Sequence, residues 1–265
     1  MLDPKIMTQR ERRIYLIKAL LAEYPSGRKP EIPTDAGGQQ RLLRGLMNVR
    51  RPSEIGADFL AVQNEYLQTA LREKGITYLS GLTPIREGIY LWRGDITTLC
   101  CGAIVNAANS GMTGCYHPCH GCIDNCIHTY AGIQLRLECA KIMEKQGYEE
   151  PVGRAKLTPA YNLPCEYVIH TVGPRVDGAL TERHCTLLAE CYRSCLTLAD
   201  RRRVGSIAFC CISTGVFGFP NDRAAEIAVN TVFNYRAKNR SETEVIFNVF
   251  TDADERIYKR LLGAD

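Results

Sequence analysis

The stretch from Ser206 to Ala228 reads SIAFCCISTGVFGFPNDRAAEIA. It opens as an apolar, β-forming run and passes through a loop carrying Gly215 and Gly218. Pro220 then sits where a helix over Asn221 to Lys238 begins. Proline is tolerated at a helix start because the N–H it lacks would be unpaired there anyway. A strand feeding a helix through a glycine-bearing loop is the repeating unit of an α/β chain. Such a loop also turns backbone N–H groups toward an anion, which reads as a phosphate cradle. The plainer alternative is an ordinary strand-to-helix turn. The loop matches neither the Walker pattern nor GxGxxG, which argues against ATPase and NAD-type readings.

The same alternation extends on both sides. IYLW from Ile89, AIVN from Ala103, EYVIHTV from Glu166, SIAFCCIS from Ser206 and EVIFNVF from Glu244 are apolar strand runs. Helical patterns cover Ile123 to Gln146, Arg183 to Arg203 and Asn221 to Lys238. The sheet should be mostly parallel and buried, with the ligand crevice beyond the C-terminal strand ends. The first eighty residues differ. Thr8 and Glu11 have capping-box spacing ahead of Ile14, Ile17, Leu20, Leu21 and Tyr24, and Pro25-Ser26-Gly27 breaks that helix. Leu42, Leu43, Leu46 and Met47 mark a second helix. Ser53 is placed to cap a third, which carries Phe59, Leu60, Gln63, Leu67 and Leu71 and ends at Gly75. This region shows no catalytic constellation and reads as a helical extension.

Hydrophobic residues make up 45% of the 265 residues, enough for a full core, and the net charge is only +4. No long basic block points to nucleic acid, and Arg201-Arg202-Arg203 reads as a solvated helix C-terminus. No secretory leader or membrane span is expected, so the setting should be cytoplasmic. Thirteen cysteines are then conspicuous, because clustered thiols in a reducing compartment bind metal or do chemistry more often than they form disulfides.

Two further loops follow strands. In RGDIT, Asp95 follows Gly94, and Thr97 is placed to cap a turn. In VNAANSGM, Asn106 and Asn109 carry amides suited to sugar hydroxyls, or equally to loop backbone groups. That loop runs into GCYHPCHGCIDNCIHT, Gly114 to Thr129. Cys115, Cys119, Cys122 and Cys126 have helical spacing, but Gly114, Pro118 and Gly121 oppose a helix before Ile123. Three metal readings compete. Cys115, Cys119 and Cys122 have the spacing of a radical-SAM iron–sulfur loop, although Gly121 stands where that loop carries an aromatic. All four cysteines could close a structural zinc site. A mixed set of Cys115, His120 and Cys122, with His117 as a substitute, would leave a fourth position open, as catalytic zinc requires. Asp124 lies two residues beyond, near enough to position water. His128 is one helical turn further and reads as structural. Cys100, Cys101, Cys139, Cys191, Cys195, Cys210 and Cys211 read as small core residues.

Taken together, GDIT, IVNAAN, GCIDNCIHTYAG, EYVIHTVGP and ISTGVFGFP occur in the order and spacing of the macrodomain family. The chain therefore resembles that ADP-ribose-binding module from about Ile89 to Asp265. The resemblance implies a three-layer α/β/α macrodomain with a mixed, mostly parallel central sheet over residues 81–265, preceded by a helical N-terminal extension over 1–80. MacroD-type hydrolases carry Gly-Gly-Val-Asp before the catalytic helix, where this chain has Gly121-Cys122-Ile123-Asp124. Cysteine for glycine, together with the Cys-x-x-Pro-x-His segment and the extension, resembles the zinc-dependent branch.

That branch implies Zn2+ on Cys115, His120 and Cys122. It implies a hydrolase removing mono-ADP-ribose from proteins at an ester-type linkage to acidic side chains. Asp95 and the Ile96 N–H would read adenine, and Phe250 would pack on it. Ser213, Thr214, Gly215, Val216, Phe217 and Gly218 would wrap the diphosphate. Asn106 and Asn109 would serve the sugar end, with Asn109 on the distal ribose and Asp124 directing the nucleophile. The implied partners are ADP-ribose and a mono-ADP-ribosylated protein, with no nucleic acid or membrane. A reader that binds ADP-ribose without cleaving it, and an O-acetyl-ADP-ribose deacetylase, are the alternative functions.

Overall fold

The computed structural model describes residues 3–23 and 29–264. In chain order the elements are α1 (Gln9–Ala22), α2 (Ala36–Val49), α3 (Ala57–Lys74), β1 (Thr77–Tyr78), β2 (Ile89–Arg93), β3 (Leu99–Cys100) and β4 (Ala103–Ala108). There follow α4 (Ile123–Ala131), α5 (Ile133–Gln146), β5 (Ala155–Pro159), β6 (Tyr167–Val172), α6 (Glu182–Arg202), β7 (Ser206–Phe209), α7 (Asn221–Asn239), β8 (Glu244–Val249) and α8 (Asp252–Leu262).

The main sheet has the order β2-β8-β7-β4-β6-β5, and only the edge pair β5–β6 is antiparallel. The mixed, mostly parallel expectation holds. Central strands such as Ala103–Val105 are fully buried, because α4 and α5 cover one face while α6, α7 and α8 pack along the other. Parallel strands end on the same side, so the loops after β2, β4, β6, β7 and β8 gather at one end of the sheet.

Helices α1 to α3 pack around a core of their own, in which Leu16 and Ile17 are fully buried, and Ile133 of α5 joins that core. Burying a side chain of that size contributes about 1.5–3 kcal/mol. The capping box at Thr8 and Glu11 is present. The expected Tyr24 and the break at Pro25-Ser26-Gly27 lie outside the described residues. Three local expectations change. Helix α3 starts from Gly56 rather than Ser53, with no side-chain cap. The pattern from Ile123 to Gln146 is two helices, parted where Gly132 adopts φ +95°. The run SIAFCCIS is paired only as far as Phe209. Cys100 and Cys211 are half-buried, while Cys101, Cys139, Cys191, Cys195 and Cys210 are buried as expected. Among the described residues, no helix is long and apolar enough to cross a membrane.

Candidate active site

The gathered strand ends enclose a cleft of about 1020 Å3. Gly94, Asp95 and Ile96 line it from the end of β2, Asn109 from β4, Gly173 from β6, Ser213 to Phe217 from β7, and Phe250 from β8. The segment Gly114 to His117 and the start of α4, with Asp124, close the remaining wall.

Asp124 lies in the first turn of α4 and is only 5% exposed. Its Oδ1 accepts from Asn106 Nδ2 at 2.8 Å and its Oδ2 from Asn109 Nδ2 at 3.3 Å. Burial pushes its carboxyl up to about 6, against the hydrogen bond from Asn106, the charge of Arg136 and the hydrogen bond from Asn109. Asn106 does not reach the cleft as expected. It points inward from β4, is fully buried, and also donates to His170 Nδ1 at 3.1 Å. The alternation of a strand turns it under the carboxylate rather than toward a ligand. Asn109 does line the cleft, and it also donates to Gly114 O at 3.2 Å and accepts from Gly111 N at 3.0 Å. His128 shares a helix face with Asp124, its Nε2 3.6 Å from Oδ1, and burial holds it well below its ordinary value.

The donor atoms of Cys115, His120 and Cys122 all lie within 4.8 Å of one another. All three residues line the cleft. The rival sets are not assembled. Cys119 turns its Sγ to Arg41 O at 3.3 Å, Cys126 faces Arg44 Nη2 at 3.5 Å, and His117 stands outside the cluster. Two sulfurs and an imidazole this close fit a borderline-soft divalent ion such as zinc. A second cluster, His128, Cys139 and His170, is fully buried. Asn106 and Thr158 already occupy both ring nitrogens of His170 there, so too few donors remain for a metal.

At the other end, Asp95 itself caps the short turn Ile96–Thr98, accepting from Thr97 N at 2.9 Å. The expected capping by Thr97 is thus reversed. Burial raises the Asp95 carboxyl, but hydrogen bonds from Lys74 and Thr97 outweigh it and hold the group below its ordinary value. Ile96 is buried beside it, and Phe250 is 77% exposed at the rim. In the cradle, the N–H groups of Gly215, Val216 and Phe217 have no partner within the chain among the described residues. Two proposed donors are already engaged: Thr214 N–H bonds Cys211 O at 3.4 Å, and Gly218 N–H bonds Gly215 O at 3.0 Å. Gly218 instead supplies φ +66°, which closes the loop. Ser213 is buried with its Oγ unpartnered.

Residues that no motif marks also shape the site. Arg136 of α5 donates to Thr113 O and Cys115 O of the thiol-rich loop and to Met47 O, Asn48 O and Arg50 O at the end of α2. Its only sequence signal is an arginine spaced on a helix face with Ile133, Ala140 and Met143.

The Macro domain model matches residues 105–228. A Treponema medium relative named protein-ADP-ribose hydrolase is 59% identical over 97% of this chain and 100% of its own length. One of the same name from Staphylococcus aureus strain MRSA252 is 47% identical over 98% of each chain. Among solved structures, the Oceanobacillus iheyensis macrodomain with ADP is 34% identical, with a TM-score of 0.62 over 69% of this chain and 94% of its own. The Trypanosoma brucei macrodomain in complex with ADP-ribose is 29% identical, with a TM-score of 0.64 over 80% of this chain and 92% of its own.

Proposed function

Because this chain belongs to the macrodomain family, we propose that it is a hydrolase that removes mono-ADP-ribose from modified proteins. Relatives spanning its full length carry the name protein-ADP-ribose hydrolase. The observation that carries the reading is a buried, braced carboxylate, Asp124, at the floor of the cleft, two residues from a cluster of three metal-type donors.

The diphosphate is bound by the free N–H groups of Gly215, Val216 and Phe217. Phe250 packs on the adenine, and Asp95 accepts from its amino group through Oδ2, the oxygen that also takes the Lys74 ammonium while Oδ1 is held by Thr97. Asn109 holds the distal ribose, next to Asp124. The scissile bond is an ester-type linkage between that ribose and an acidic side chain. Asp124 orients a water that attacks the acyl carbon and accepts its proton, which passes to the ribose oxygen as the bond between that oxygen and the acyl carbon breaks. Cys115, His120 and Cys122 would hold zinc, their donor atoms all lying within 4.8 Å of one another. A zinc ion on these three residues would supply Lewis-acid charge to the cleft they line. Thirteen free thiols, two of them ligands, suit a reducing, cytoplasmic setting.

The test is incubation of a protein mono-ADP-ribosylated on glutamate with this chain, followed by mass spectrometry. Release of ADP-ribose and an unmodified glutamate supports the reading. A modification that persists while ADP-ribose binds identifies a reader instead.

A further inference from the structure

The helical extension reaches the metal cluster through one side chain. Arg44, in the middle of α2, directs a single nitrogen, Nη2, at His120 O (2.8 Å), Asn125 Oδ1 (2.9 Å) and Cys126 Sγ (3.5 Å). Asn125 is fully buried and passes the contact on. Its Nδ2 donates to His117 O at 3.0 Å and Cys115 O at 3.4 Å, and its backbone N–H donates to Cys122 Sγ at 3.4 Å. Arg44 supplies only donors, so it fixes which end of the Asn125 amide faces α2 and therefore which end faces the loop. Two of the three proposed ligand residues are held this way at their backbone carbonyls, His120 by Arg44 directly and Cys115 through the Asn125 amide, while Cys122 Sγ takes the Asn125 backbone N–H as the cap of α4. Arg136 holds the start of the loop at Cys115 O, and α2 holds the rest. The loop contains no regular element, Cys119 sits at φ +56°, and its Pro118–Cys119 tip rests on α2 at Gly45. Asn48, one helical turn after Arg44, accepts from Cys119 N at 2.9 Å.

We propose that Arg44, acting through Asn125, is a positioning residue for the metal centre, so that the extension is part of that centre rather than an appendage. This rests on the metal reading above. Groups that orient ligands without touching the metal set their geometry before the ion arrives, and removing one typically costs about 10- to 100-fold in metal affinity. Helix α2 does not line the cleft, so ADP-ribose affinity has no reason to move.

The experiment measures zinc affinity on the full chain by competition with a chromogenic chelator. Wild type is compared with Arg44→Met, Arg44→Lys and Asn125→Ser, and ADP-ribose affinity and the melting temperature of the metal-free protein serve as folding controls. Arg44→Met and Asn125→Ser should each weaken zinc by about 10- to 100-fold with ADP-ribose affinity unchanged. Arg44→Lys should recover only part of the loss, because a flexible ammonium lacks the rigid planar guanidinium that aims Nη2 at all three acceptors. If Arg44→Met fails to fold, the lysine and serine variants carry the comparison. Zinc affinity equal to wild type in folded variants overturns the inference and leaves the metal reading standing. A wild-type chain that binds no zinc overturns the metal reading, and this inference with it.

Discussion

The Asp124 carboxylate and the Asn106 amide meet at 2.8 Å beneath the cleft, and Asn106 is fully buried. A strand residue therefore holds a helix carboxylate in place from below, leaving its cleft side to Asn109. Substitution of Asp124 by Ala should lower turnover by about 10²–10⁴-fold, the usual size of a lost general base. ADP-ribose affinity should persist, because the cradle and the adenine end are untouched. Single-turnover release assays and titration calorimetry check the two halves separately, and unchanged turnover would remove Asp124 from the reaction.

Phe250 is 77% exposed, so the fold gains little from it. Phe250→Ala should leave the melting temperature near wild type. If the ring stacks on adenine, the same change should cost about 1–3 kcal/mol of ADP-ribose binding, the range seen for base–aromatic contacts. Loss of stability without loss of affinity would show the ring to be packing rather than recognition.

Gly114 adopts φ +84°, and an added Cβ would lie 2.7 Å from the His128 ring. The ring is buried and has nowhere to go. Gly114→Ala should destabilise the chain by about 1–3 kcal/mol through overpacking, with backbone strain in addition. Urea denaturation measures this, and an unchanged midpoint would show that the loop carrying Cys115 gives way freely.

His170 is buried between Asn106 and Thr158, and burial pushes it down to about 3 from an ordinary 6.5. Below about 6.5 the unfolded chain takes up a proton that the folded ring refuses. Unfolding then binds a proton, so this contribution to stability is complete above that pH and is lost progressively as pH falls toward 3. His170→Gln should flatten the decline between those limits. An equally steep decline in the variant would assign it to other groups.

Strands β2, β4 and β6 are legible because each is an apolar run beside a glycine, Gly88, Gly102 and Gly173, and α6 because apolar residues recur along its length. Strand β5 is not: AKLTP is short, carries Lys156 and ends in Pro159, as befits an antiparallel edge whose pattern resembles a loop. The break at Gly132 is hidden because helical spacing continues across it, and only the φ of that residue reveals the turn. At the site, Asp124 and the three donors stand within ten residues of one another, so local spacing exposes them, and the family resemblance then chooses among the cysteines. Arg44 and Asn125 are 81 positions apart and meet only in the fold. No local pattern can announce such a pair. Asn106 shows the converse, because it sits in the right motif but the strand turns it inward.

We propose that an ADP-ribosyl protein is hydrolysed at the cleft where Asp124 stands two residues from the donor cluster of Cys115, His120 and Cys122. The most direct measurement is zinc content by elemental analysis, paired with release of ADP-ribose from a mono-ADP-ribosylated protein before chelation, after chelation and after zinc is returned. The account predicts one zinc per chain, turnover lost with the metal and regained with it, and ADP-ribose bound throughout. Full turnover by the metal-free chain, or a zinc-loaded chain that binds ADP-ribose and releases none from protein, would contradict it.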